Sequence, residues 1–312
     1  MAGSGTALYA AGMIVRPRPS GLGLVFALRG SILPMIATRL AVIVLLSCVV
    51  VWLHHIWPVH VGVASVAPFT LLGLGLSIFL GFRNNSCYNR WWEGRQQWGA
   101  LISTSRSFLR DINALLPEDD PLRRRAAHRI GMFAHALRTQ LRGSQTQPAP
   151  DWLPAGGWAR PVRNRPGLLL SELASEFAER MRAGEISDIS YRLFSDHMTT
   201  MTSIQGACER LRATPMPFAY SLMLHRTVWL FCLLLPFGMV DILGLGTPLL
   251  TLVLAYSFLG LDALGEELEQ PFSATPNGLP LDAMVRIIDI AVAETLCDPT
   301  PEPLHPQNFV LL

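Results

Sequence analysis

Val61 to Phe82 is a run of 22 residues without a charged side chain, and it is one of four such stretches in the chain. Leu40 to Leu53 carries no charge, and the stretch continues through His54, His55 and Trp57. Thr227 to Val240 is interrupted only at Asp241, and Ile242 to Leu261 adds 20 more uncharged residues. A helix rises 1.5 Å per residue, so the hydrocarbon core of a bilayer takes about 20 apolar residues. The pattern therefore predicts four transmembrane helices, at about 38–57, 61–82, 225–241 and 244–261. The first and third are short for the task and must borrow flanking residues or lie in the interface. A buried helix of a soluble protein would explain any one stretch but not all four. Composition agrees: only 15% of the 312 residues are charged, against about 25% in an ordinary soluble domain. Intrinsic disorder is excluded, because it requires low hydrophobicity and half of this chain is apolar.

The basic residues give an orientation. All 25 are arginine. Arg16, Arg18, Arg29 and Arg39 lie at the N-terminus, twenty lie between Arg83 and Arg226, and Arg286 lies near the C-terminus. The short connections near 54–60 and 241–248 carry none. The positive-inside rule then places both termini and the long middle segment in the cytoplasm. The expected division is a cytosolic segment 1–37, two membrane helices within 38–82, a helical cytosolic region 83–224, two more membrane helices within 225–261, and a cytosolic helix and extended tail over 262–312. Between residues 83 and 226 the twenty arginines face thirteen carboxylates, a net charge of +7. Within that region, 84–116 reads as one helix with Trp91, Trp98, Ile102 and Leu109 on one face. Pro117 to Pro121 ends it and opens a second, to about Leu141. A loop rich in Pro, Gly and Gln follows from Gly143 to Pro166, then helices over 167–181 and 187–211. Residues 282–296 form an amphipathic helix. The Pro-rich tail from Pro299 is expected to be extended. A cleaved leader is not expected, because the first 15 residues lack a charged n-region.

Enzyme signatures are absent: there is no GxSxG, HExxH, phosphate-binding loop or GxGxxG motif. Five scattered cysteines without CxxC spacing give neither a disulfide framework nor a zinc site. His54, His55 and His60 cluster at one helix end, where they could ligate a metal or haem but read more simply as interfacial imidazoles. Asp262 and Glu266, four apart, share a helical face that could take a cation. The blander reading is a solvated helix end. Asp241 is expected to cap a helix at an external turn. No cofactor, metal or nucleic-acid partner is expected.

Two stripes of the second apolar helix carry more information. Gly73, Ser77 and Gly81 repeat every four residues, which lets helices approach closely. Leu74, Ile78 and Phe82 repeat one position on, so they could face lipid or core, or point at an axis shared by several copies. Rings of such side chains make a constriction that gates by dewetting. After Phe82 the chain turns polar at once, with Arg83, Asn84 and Asn85. Their side chains could meet partly dehydrated ions or anchor the helix at the headgroups.

The segment Phe82-Arg-Asn-Asn-Ser-Cys-Tyr-Asn-Arg-Trp-Trp-Glu-Gly-Arg-Gln-Gln-Trp-Gly99 closely resembles the motif that follows the second helix in bacterial bestrophin-family proteins. Arg29-Gly-Ser-Ile32, Thr214-Pro-Met-Pro-Phe-Ala-Tyr220, His225-Arg226 and Glu269-Gln-Pro-Phe272 resemble the same family, over roughly residues 25–296. The resemblance implies an all-α, bestrophin-like membrane protein assembled with itself as a homopentamer around one axial pore. It implies passive conduction of small inorganic ions across the bacterial inner membrane. It places a pore neck at Leu74, Ile78 and Phe82, and a cytosolic aperture at Met216, between Pro215 and Pro217. A bend at Met216 is expected independently, since proline disrupts helices and restricts the residue before it. Chloride is slightly favoured over a monovalent cation such as sodium: phenylalanine edges and the positive cytosolic region lean one way, the Asn84 and Asn85 amides the other. A secondary transporter is a weaker alternative, hinted at only by Pro68 and Pro236. A scaffold, or an enzyme of haem or quinone chemistry, is weaker still. The dense acidic run that binds calcium in animal members is missing here. Between Phe272 and Asp282 there is no carboxylate, so calcium gating is not expected. Nor is voltage gating, because no membrane run carries a series of arginines.

Overall fold

The computed structural model describes residues 13–14, 31–57, 66–143, 162–306 and 309–311. Its elements are β1 (Met13–Ile14), α1 (Leu33–Ile56), α2 (Ala67–Leu115), α3 (Pro121–Arg142), α4 (Arg165–Arg182), α5 (Asp188–Ala213), α6 (Phe218–Leu243), α7 (Thr247–Glu269), α8 (Leu281–Thr295) and β2 (Val310–Leu311). Apart from one two-residue antiparallel pair, Met13 with Leu311 and Ile14 with Val310, the regular structure is helical. The extended tail is thus a β-strand only at its end. The chain divides into two compact units: Arg16–Trp91 with Pro215–Gln270, and Met1–Val15 with Trp92–Thr214 and Pro271–Leu312.

The first of these is built from α1, α6, α7 and the beginning of α2. Among the described residues, two stretches are long and apolar enough to cross a membrane: Leu33–Ile56, with mean hydropathy 2.5, and Phe218–Glu269, with 2.2. The latter is two helices, α6 and α7, packed as a hairpin through the turn Gly244–Gly246. Both α1 and α6 begin several residues earlier than the apolar pattern alone indicates, which relieves their shortness. The apolar part of α2 begins at Ala67, and residues 61–65 of the expected span lie outside the described residues. Ile36, Leu40 and Ile43 of α1, Leu76 and Leu80 of α2, Val228, Phe231 and Leu235 of α6 and Ala255 and Leu259 of α7 form one core. Helix α6 continues through Pro236. At Gly238 a Cβ would lie 2.6 Å from the Phe69 ring, so only glycine lets α2 and α6 meet there. The small-residue stripe of α2 works less evenly than its spacing suggests. A Cβ on Gly73 would touch Phe231, whereas Gly81 has nothing within 4 Å.

Asp241 does not cap a helix. It lies in the last turn of α6, with its carboxylate 3.6 Å from His54 Nδ1 of α1. His55 is exposed, and His60 lies outside the described residues.

The second unit is helical apart from the short strand pair. Helix α2 continues into it without a break, so the expected membrane helix and the helix over 84–116 are one element of 49 residues. Its buried face comprises Trp98, Leu101, Ser105, Phe108, Leu109 and Ile112; of the residues read from the pattern, Trp98 and Leu109 lie on it and Trp91 is half-buried. The true face follows 3–4 spacing from Trp98, and Ile102 is only half-buried. Asp120 caps α3 by accepting from the Leu122 amide at 2.8 Å, with Pro121 in the first turn. Of the expected 143–166 loop, residues 144–161 lie outside the described residues. In the core, Phe177 of α4 and Phe194 of α5 stack with centroids 4.4 Å apart, and Phe108 of α2 meets both edge-to-face. From α8, Leu281, Val285, Ile288 and Val292 are buried.

Phe108→Ala removes the ring that touches both other phenylalanines and should destabilise this unit by about 3–5 kcal/mol, read as a lowered denaturant midpoint. Asp111 supplies a pH test. Burial pushes its carboxyl up, but hydrogen bonds from Arg110 and from His197, at 2.9 and 2.8 Å, outweigh that and hold it below its ordinary 3.8. A folded value below the unfolded one adds stability above the ordinary carboxylate range, lost as pH falls through the folded value. The stability gap between wild type and Asp111→Asn should therefore be full near neutrality and shrink below about pH 4.

Candidate functional site

The face of α2 that carries Leu74, Ile78 and Phe82 is turned away from the protein core. These side chains are 61%, 50% and 64% exposed, while Leu76 and Leu80 are 3% and 0% exposed. Two residues along a helix is a rotation of about 200°, so the two sets occupy opposite sides of one cylinder. Leu71, 71% exposed, begins the stripe, and Asn85 continues it one turn beyond Phe82 on the exposed side. Asn84 does not share that face. Its amide is buried toward α7, where a Cβ on Gly265 would lie 2.5 Å from Asn84 Oδ1. The two asparagines are therefore not brought together. Met216 sits, half-buried, in a bend between Pro215 and Pro217, immediately before α6. The proline pair keeps those residues out of either helix, and the Met216 amide donates to Glu269 Oε1 at 3.1 Å.

Beneath the apolar stripe lies a charged network that the sequence reading missed. Arg83, 2% exposed, directs Nη1 to Asp262 Oδ1 at 2.6 Å, and Asp262 is wholly buried. The other Asp262 oxygen is 2.6 Å from His225 Nδ1. Arg83 Nη2 lies 3.9 Å from Glu269, the residue that holds the Met216 backbone, and Arg90 Nε donates to the Glu269 carbonyl at 3.4 Å. So Asp262 is not part of a solvated helix end. Both its oxygens are engaged, and it ties α2, α6 and α7 together. A signal for this was present. Arg83 directly follows the 61–82 run, Asp262 directly follows the 242–261 run, and His225 shortly precedes the run from Thr227. If the runs share one slab, the ionisable residues just beyond these ends are left at similar depth, although the exposed Arg226 stands between His225 and its run.

The sequence profile described as Bacterial/Fungal Bestrophin protein matches residues 13–294. The chain belongs to the bestrophin family. An anion channel-forming protein of Mesorhizobium japonicum, named voltage-dependent, is 39% identical over 304 residues, covering 95% of this chain and 96% of that one. YneE of Escherichia coli strain K12, named in the same way, is 40% identical over 282 residues, covering 89% and 92%. The crystal structure of a bacterial bestrophin homologue from Klebsiella pneumoniae, obtained by Zn-SAD phasing, superposes with a TM-score of 0.76 at 35% identity, covering 85% of this chain and 99% of that one. The family and the helical fold are those expected from the 82–99 motif.

Removing one member of a buried pair leaves an uncompensated charge, which costs about 3–5 kcal/mol. Asp262→Asn should therefore lower the melting temperature of the detergent-solubilised protein markedly. The double variant Arg83→Met, Asp262→Leu should recover most of the loss, because no charge is then buried alone.

Proposed function

We propose that this chain is a subunit of a homopentameric ion channel of the bacterial inner membrane that conducts small inorganic anions, chloride among them, passively along the assembly axis. The observation that carries the proposal is the exposed apolar stripe on α2. Leu74, Ile78 and Phe82 are half or more exposed in their own subunit, yet they lie on a helix whose opposite face is fully engaged in the core. Copies of that stripe meeting around an axis form a dry neck, whose barrier to ions depends on ring radius. Helices α1, α6 and α7 and the start of α2 cross the bilayer. The helical layer of the other unit and both termini face the cytoplasm, as the arginine distribution requires. Met216 forms the second, cytosolic constriction. Asn85 lines the polar step just beyond the neck, and Asn84 belongs to the packing between α2 and α7.

Anions are favoured on two grounds. The relatives named above are called anion channel-forming proteins. The net +7 of residues 83–226 also draws anions toward the cytosolic mouth. A cation route would need the two amides acting together, and Asn84 is turned away. A transporter would want a broken helix, and α6 continues through Pro236. Neither the family nor the relatives' names point to an enzyme. For calcium, the first carboxylate after Phe272 is Asp282, which is buried between Arg138 at 2.8 Å and Arg142 at 2.7 Å and has no oxygen to offer a cation. The relatives' names also carry the word voltage-dependent, against the expectation drawn from the lack of arginine series. Any voltage response here would arise without an arginine-rich sensor helix.

In planar bilayers, replacing Leu74, Ile78 and Phe82 together by alanine should raise single-channel conductance by widening the neck. Under a KCl gradient the wild-type current should reverse toward the chloride equilibrium potential. Reversal toward the potassium potential would overturn the anion reading, and an unchanged conductance would overturn the lining.

A further inference from the structure

Among the described residues, His225 of α6 and Asp262 and Glu266 of α7 bring three donor atoms within 4.8 Å of one another. We propose that these three side chains form a binding site for a divalent transition metal of the zinc type. His225 Nδ1 lies 2.6 Å from Asp262 Oδ2 and 3.8 Å from Glu266 Oε1. Ligands bonded at 2.0–2.2 Å to a tetrahedral ion stand about 3.4 Å apart, so shifts of less than about 1 Å seat one.

Two of the donors are held in place by neighbours, and the third is brought alongside by the helix. Arg83 grips the opposite oxygen of Asp262, which leaves Oδ2 aimed at His225. The His225 ring lies edge-to-face with Trp229, one turn along α6, with centroids 6.4 Å apart. Glu266 follows Asp262 by four residues and so shares its helical face. The buried Asp262 forms the floor, while His225 is half-buried and Glu266 exposed. The fourth coordination position therefore opens to solvent and would hold water. One imidazole and two carboxylates suit zinc and its neighbours. Calcium takes six to eight oxygens and is poorly served by three protein ligands. The ion would take the place of the proton shared between His225 Nδ1 and Asp262. That proton moves to Nε2 or leaves to solvent, and Nδ1 and Oδ2 then bond to the metal. The ligand set stands whether or not the chain conducts ions.

The test is calorimetric titration of the full-length, detergent-solubilised protein with zinc chloride, together with visible absorption on adding cobalt(II). One zinc per chain should bind at this site and give d–d bands of a tetrahedral cobalt complex, and excess calcium should not compete. His225→Ala and Glu266→Gln should each weaken that zinc by at least about tenfold. His55→Ala, on the exposed end of α1, should leave it unchanged. Glu266→Gln alters an exposed side chain and spares the Arg83–Asp262 pair, so it carries the test if the His225 variant fails to assemble. No heat of binding up to millimolar zinc overturns the proposal, as does zinc that binds equally well to the Glu266 variant.

Discussion

A guanidinium and a carboxylate, both sealed from water, sit where three apolar helices end. Arg83 and Asp262 lie 2.6 Å apart and are almost entirely buried. Neither charge could be accommodated alone, since each would forfeit several kcal/mol of hydration without a partner. Their pairing therefore fixes the height of α2 against α7, and through His225 the height of α6 as well. Gly265 makes this possible, because any side chain there would collide with Asn84 beside the pair. The hydrophobic contacts above the pair resist separation of the helices but tolerate sliding. The ion pair is directional and resists both.

The same pair lies next to the residues proposed to shape the conduction path. Arg83 directly follows Phe82, and it reaches toward Glu269, which holds the backbone of Met216. The proposed neck and aperture residues are thus braced from one group of charges, although they lie more than a hundred residues apart in the chain. The exposed side of α2 is left free of structural duties within its own subunit, so it can be shaped by what it faces.

Much of this was legible in the sequence. The four apolar runs fall on helices α1, α2, α6 and α7, with starts shifted where flanking residues such as Leu33 and Phe218 extend α1 and α6. The 82–99 motif gave the family, and the proline pair gave the bend at Met216. What could not be read was pairing across the chain. Asp262 looked like a solvated carboxylate because its partner lies 179 residues away, and no local period links them. Asn84 and Asn85 are adjacent and chemically identical, yet one helical step puts one on the core side and the other on the free side. The buried face of the helix was read only in part for a similar reason: Trp98 and Leu109 lie on it, whereas Trp91 and Ile102 are half-buried. With aromatic and aliphatic residues on several sides, only the neighbours Phe177 and Phe194 decide that Phe108 points inward.

The apolar character of the free α2 face also bears on how such an assembly is made. A conduction path walled by polar groups would leave each newly inserted subunit with unsatisfied donors and acceptors in hydrocarbon until its companions arrived. Leu74, Ile78 and Phe82 are as much at home among acyl chains as around a dry neck. On the proposed assembly, a subunit that has not yet met its companions would present to the bilayer a face that acyl chains cover as well as a partner does.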